Sequence, residues 1–76
     1  MPKVYTFPEV RAAAAKANIR ARLYMFDAGV TIELTSAKSD QLARITSLHG
    51  DPSAPDQTAK WLMENTTLTV FDFAKD

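Results

Sequence analysis

Arg20-Ala21-Arg22-Leu23-Tyr24-Met25-Phe26, then Asp27-Ala28-Gly29, then Val30-Thr31-Ile32-Glu33-Leu34-Thr35 is the stretch on which the fold turns. Two β-prone runs flank a short segment of turn residues, the pattern of a hairpin. A two-residue Ala-Gly turn would ask alanine for a positive φ. A three-residue loop, with Gly29 as the left-handed bulge residue, avoids that and is the expected connection. Its register pairs Phe26 with Val30, Tyr24 with Ile32 and Arg22 with Leu34. Arg22, Tyr24, Phe26, Val30, Ile32 and Leu34 then share the face expected to be core, and Leu23, Met25, Thr31, Glu33 and Thr35 the other. A slip of one residue would bury Leu23 and Met25 instead.

On the N-terminal side, Val4 to Phe7 reads as a short first strand. Thr6-Phe7-Pro8-Glu9 follows the capping-box pattern, and Pro8 suits a first helical turn because its missing N–H costs nothing there. The helix is expected to run to about Ala17, with Asn18 as a left-handed stop. Val10, Ala13, Ala14 and Ala17 fall at i, i+3, i+4 and i+7, a flat stripe suited to close docking.

Beyond the hairpin, Ser36 or Ser39 is expected to cap a second helix carrying Leu42, Ile45 and Leu48 on a narrow apolar edge, with Gly50 as its stop. Asp51-Pro52-Ser53-Ala54-Pro55 reads as a tight linker. Ser53-Ala54-Pro55-Asp56 repeats the capping pattern before a third helix with Ala59, Trp61, Leu62 and Met63, ended by Asn65. Thr67 to Phe73 alternates as a last strand with apolar groups on both faces. The order is β-α-β-β-α(α)-β: one α+β domain over residues 1–76, a small antiparallel sheet with helices on one face, in the ferredoxin-like plan. Without the first strand, three strands under three helices is the fallback.

That order is shared with RNA-recognition domains, which stack bases on aromatics of the open sheet face. Here the strand Val30-Thr31-Ile32-Glu33-Leu34 has no aromatic and no Lys/Arg-Gly-Phe-like run, so no site is carried across. The Cys-x-x-Cys loop of metal-chaperone domains is absent too, and fold order alone does not decide function.

Composition narrows the chemistry. The 76 residues hold one histidine, no cysteine and two glycines. A Cys/His metal site and a thiol nucleophile lack their ligands, and Gly29 and Gly50 stand too far apart for a phosphate-cradling loop. No cofactor, no metal and no catalytic residue are therefore expected. His49, next to Gly50 at an expected helix end, reads as a cap or a solvent-facing group rather than a general base. No spacing places two carboxylates in one site. A hydrophobic content of 46% with 24% charged residues is ordinary for a globular domain. The stretch Val10 to Ala17 contains Arg11 and Lys16, so no membrane span is expected. No charged start precedes an apolar run; with zero cysteines, a cytoplasmic location is the expectation.

Net charge is zero but unevenly spread. Residues 1–25 carry Lys3, Arg11, Lys16, Arg20 and Arg22 against Glu9, giving 5 − 1 = +4. Residues 26–50 carry Lys38 and Arg44 against Asp27, Glu33 and Asp40, giving 2 − 3 = −1. Residues 51–76 carry Lys60 and Lys75 against Asp51, Asp56, Glu64, Asp72 and Asp76, giving 2 − 5 = −3. Arg11, Lys16, Arg20, Arg22, Tyr24 and Trp61 are the candidate partner-binding residues, because Arg, Tyr and Trp anchor interfaces and clustered bases steer association. The expected function is a non-enzymatic protein-binding module. In size and composition the chain resembles phage and mobile-element accessory proteins that inhibit host machinery, anti-CRISPR and other anti-defence proteins among them. That resemblance implies a host protein or nucleoprotein complex as partner. A homodimer through the last strand is a further expectation. The competing class is a small nucleic-acid-binding domain using the basic N-terminal third, although an overall basic excess is missing.

Overall fold

The computed structural model describes residues 5–51 and 53–73. Its elements are α1 (Phe7–Lys16), β1 (Ile19–Met25), β2 (Gly29–Ser36), β3 (Gln41–Leu48), α2 (Ser53–Asn65) and a 3-10 turn at Val70–Phe73. The three strands form one antiparallel sheet in the order β1-β2-β3. Both helices pack on one face of that sheet and against each other. The class is α+β with a small antiparallel sheet, and the order among the described elements is α-β-β-β-α rather than the ferredoxin-like one.

The first helix follows its sequence signals. Thr6 accepts from the Glu9 amide, Glu9 reaches back to the Thr6 amide, and Pro8 lies in the first turn. Val10, Ala13 and Ala14 are fully buried, as the stripe requires, and Asn18 takes the left-handed conformation with φ 59°. Tyr5 and Thr6 lie outside any strand and Phe7 is the first helical residue, so no strand covers them; Val4 lies outside the described residues. The Tyr5 amide instead donates to Asp56 Oδ1 at 2.8 Å, tying the N-terminal segment to α2.

The hairpin differs from the expected register by one residue. Phe26 and Gly29 exchange backbone hydrogen bonds at 2.8 and 3.3 Å, so the turn has two central residues, Asp27 and Ala28. Met25 pairs with Val30, Leu23 with Ile32 and Ala21 with Leu34. Among the described residues only Asn18, Ser39 and Gly50 have positive φ, so neither Ala28 nor Gly29 bears the strain that argued for a longer loop. Burial at Ala21 favours this register, although Leu23 and Met25, expected to be buried by it, remain 39% and 68% exposed because α1 packs over the start of β1. The observed register seats Ala21 in the core cluster with Ala13 and Ala14, where the longer loop would have placed the Arg22 guanidinium at a large desolvation cost. Glycine is required at 29 for another reason: a Cβ there would strike the Ser47 carbonyl oxygen on β3.

Residues 41–48 form a strand, not the expected second helix. Leu42, Ile45 and Leu48 suggest a helical edge, but Ile45 and Thr46 are β-branched and β2 has a second edge to satisfy. The turn before them is built by Ser36, whose Oγ accepts from the Lys38 and Asp40 amides at 3.2 and 3.1 Å. Ser36 thus caps a turn where helix capping was expected. Gly50, with φ +84°, shapes the connection from β3 to α2.

The expected last strand is also corrected. Val70–Phe73 is a single 3-10 turn outside the sheet. Asp72 accepts from the Thr69 amide at 2.7 Å, holding the turn, and Phe73 is driven into the core with its ring edge-on to Tyr5 at 5.2 Å. Of the apolar groups expected on the two faces of that strand, Leu68 and Phe73 are buried anchors and Val70 and Phe71 are exposed. With no strand there, the expected dimer through the last strand loses its sheet margin, and the sheet's edges are β1 and β3.

Candidate functional site: the helix-free face of the sheet

Side chains of a strand alternate between faces, so the observed register fixes what the open face carries. The rows are Arg20 beside Thr35, Arg22 beside Glu33 beside Arg44, and Tyr24 beside Thr31 beside Thr46. No described element covers them. The face reads 3 − 1 = +2 from Arg20, Arg22 and Arg44 against Glu33.

Its two ends differ. Arg20, Arg22 and Arg44 are exposed, and among the described residues none of the three makes an ion pair or a side-chain hydrogen bond. At the hairpin end, Tyr24 and Phe26 stack with centroids 6.5 Å apart and an interplanar angle of 29°. Phe26 is 52% and Leu48 68% exposed. His49 Nε2–H donates to the Phe26 carbonyl at 2.6 Å, pinning the β1–β2 turn to the end of β3. His49 therefore braces a turn, and it lies after a strand rather than at a helix end. Thr31 and Thr46 join hydroxyls across the face at 2.9 Å.

Beside this face, a shallow groove runs between α1 and β1. Arg11 and Ala15 from α1 line it with Asn18, Ile19, Arg20 and Arg22. Arg11 thus meets two of the face's arginines along one edge, although it belongs to the helix layer. Lys16 is turned away from them and pairs with Asp72 at 3.7 Å. Trp61 lies on α2, half-buried and packed against the core, on the opposite side of the sheet from Tyr24. The six sequence candidates therefore divide: Arg20, Arg22 and Tyr24 share the open face, Arg11 flanks it, and Lys16 and Trp61 lie elsewhere. Sequence reasoning missed Arg44 and Leu48 as members and assigned Phe26 to the core face, whereas it is 52% exposed. Alternation along residues 41–48 was the signal for Arg44 and Leu48, masked by the helical spacing of Leu42, Ile45 and Leu48.

Among the described residues no group of three or more His, Cys, Asp or Glu side chains converges on a metal position, and no helix is long and apolar enough to cross a membrane. Comparison of the chain with protein-family models, with curated proteins and with solved structures gives no match in any of the three.

Proposed function

We propose that this chain is a non-enzymatic binding module that docks an acidic protein surface onto the helix-free face of its sheet. The observation that supports it is the set of exposed arginines, Arg20, Arg22 and Arg44, without ion-pair partners among the described residues and next to the exposed Tyr24, Phe26 and Leu48. Arginine and tyrosine are the residues on which interface energy concentrates, and a guanidinium with no internal partner breaks no contact when a carboxylate arrives. Glu33 within the arginine row favours a partner of mixed charge over a uniform polyanion. In this reading the domain acts by occupancy of its partner's surface. The role we assign is inhibition of a larger host protein or nucleoprotein, of the anti-CRISPR or other anti-defence kind, and its support is size and composition.

One observation favours a second reading. The Tyr24–Phe26 stack beside Arg22 offers a base-stacking platform with a phosphate contact at its rim. Two measurements separate the readings. With the protein as bait in host lysate, the first predicts a stoichiometric partner whose capture survives nuclease treatment. In fluorescence anisotropy with labelled single- and double-stranded oligonucleotides at about 0.15 M salt, it predicts no binding tighter than the nonspecific range of roughly 1–100 μM. Nuclease-sensitive capture, or tight oligonucleotide binding that falls steeply with salt, would transfer the function to the nucleic-acid reading.

A further inference from the structure

We propose that a second copy of this chain adds to the free edge of β3, antiparallel and two-fold symmetric about Ile45, joining the two sheets into one of six strands. The argument begins with the backbone. The His49 amide donates to the Ala28 carbonyl, continuing the β2–β3 register one step past Gly29 and Leu48. Antiparallel ladders alternate, so Ala43, Ile45 and Ser47 point their N–H and C=O groups at β2, and Arg44, Thr46 and Leu48 point theirs outward. Among the described residues the outward groups of Arg44 and Thr46 have no partner. The Leu48 carbonyl accepts from the Asp51 amide at 3.0 Å and is already engaged.

These constraints select one register. Two outward-pointing residues must face each other, so the symmetry axis falls on a residue and not between two. An axis on Arg44 would oppose arginine to arginine, which is destabilising. An axis on Thr46 would pair Arg44 with Leu48, whose carbonyl is taken. An axis on Ile45 pairs Arg44 with Thr46 twice, exchanging four backbone hydrogen bonds and opposing no like charges. It also brings Leu48 of each copy towards the Leu42 bulge of the other, joining two residues that are 68% and 39% exposed. Ile45, half-buried at the sheet margin, meets its own counterpart on the helix side.

On the other edge, self-pairing centred on Ala21 or Arg22 would set arginine against arginine, and Ala21 is only 4% exposed. An axis on Leu23 opposes no like charges, and a dimer through β1 is the result that equal cross-linking at 45 and 46 would report. Pairing through β3 leaves the helix-free face open in both copies, so it stands independently of the partner assigned to that face.

The chain has no cysteine, which makes the test clean. Ile45→Cys places two thiols at a non-hydrogen-bonded pair, about 4.5 Å between Cα atoms, within disulfide range. Thr46→Cys places them two residues out of step, beyond about 7 Å. Under mild oxidation the first should give covalent dimer at least about tenfold faster than the second. Thr46→Glu and Thr46→Arg lose the same Thr31 contact but put opposite or like charge against Arg44 of the other copy. By sedimentation equilibrium the glutamate variant should dimerise at least about tenfold more tightly than the arginine variant, about 1.4 kcal/mol. Wild-type protein that stays monomeric to about 1 mM, equal cross-linking at 45 and 46, or equal self-association of the two Thr46 variants would overturn the proposal.

Discussion

At Gly29 the chain of β2 comes so close to β3 that there is no room for a side chain: an added Cβ would meet the Ser47 carbonyl oxygen, a backbone atom that cannot swing aside. Gly29→Ala is therefore expected to lower stability by about 1–3 kcal/mol, through displacement of β3 rather than through φ. Gly50 makes the contrast. Its φ is +84° with open space around it, so Gly50→Ala should cost about 1 kcal/mol and Gly50→Asn less. Chemical denaturation of the variants measures both; equal costs for alanine and asparagine at 50 would deny the left-handed conformation. Phe73 is the third informative residue, 1% exposed and the largest side chain fully inside. Phe73→Ala is expected to cost about 3–5 kcal/mol, enough to unfold much of a domain this small, as circular dichroism would report.

Among the elements, α1 was legible because its signals are local; α2 was legible in extent but not in its start, where Asp51 accepts from the Ser53 amide at 3.0 Å in place of the expected Ser53 cap. The capping box at Thr6 and Glu9, the alanine stripe and the Asn18 stop each act within a few residues. Thr6→Ala should accordingly cost about 1 kcal/mol in thermal unfolding, a loss restored by Thr6→Ser. The strands were legible in kind but not in register. Whether Asp27-Ala28 or Asp27-Ala28-Gly29 closes the hairpin is decided by which β1 residues α1 will accept, and α1 accepts Ala21. Residues 41–48 were misread for the same reason: a strand is defined by its partner, and the partner edge of β2 is not local information. The 3-10 turn at Val70–Phe73 exists because the core takes Phe73, which no pattern within the segment announces. Of the candidate site, Arg20, Arg22 and Tyr24 were named from spacing, but one residue of register separated a core strip from an open face. Interstrand Hα–Hα NOEs test that register. Leu23–Ile32 and Met25–Val30, the non-hydrogen-bonded pairs of β1 and β2, are expected; Leu23–Glu33 and Met25–Thr31 contacts would restore the three-residue loop.

The whole molecule is a neutral domain with a polarised surface. Helices, core and Phe73 lie on one side of the sheet, and Arg20, Arg22, Arg44 and the Tyr24–Phe26 stack on the other. Such a layout separates stability from recognition: Arg20, Arg22 and Arg44 can be replaced with little cost to the fold, because they are exposed and make no ion pair or side-chain hydrogen bond among the described residues, whereas Thr31 on the same face is buried. Lys16 and Asp72, partly exposed at 3.7 Å, join α1 to the C-terminal turn and contribute at most about 1 kcal/mol, so charge on that side is expected to matter little to either property. The most direct test is to titrate the captured partner against the wild-type chain and against Arg20→Glu with Arg22→Glu, alongside the thermal midpoint of each. The double variant is expected to keep its midpoint and to bind at least about tenfold more weakly, a loss of about 1.4 kcal/mol. Unchanged affinity at an unchanged midpoint would contradict the account and remove the helix-free face as the site of binding.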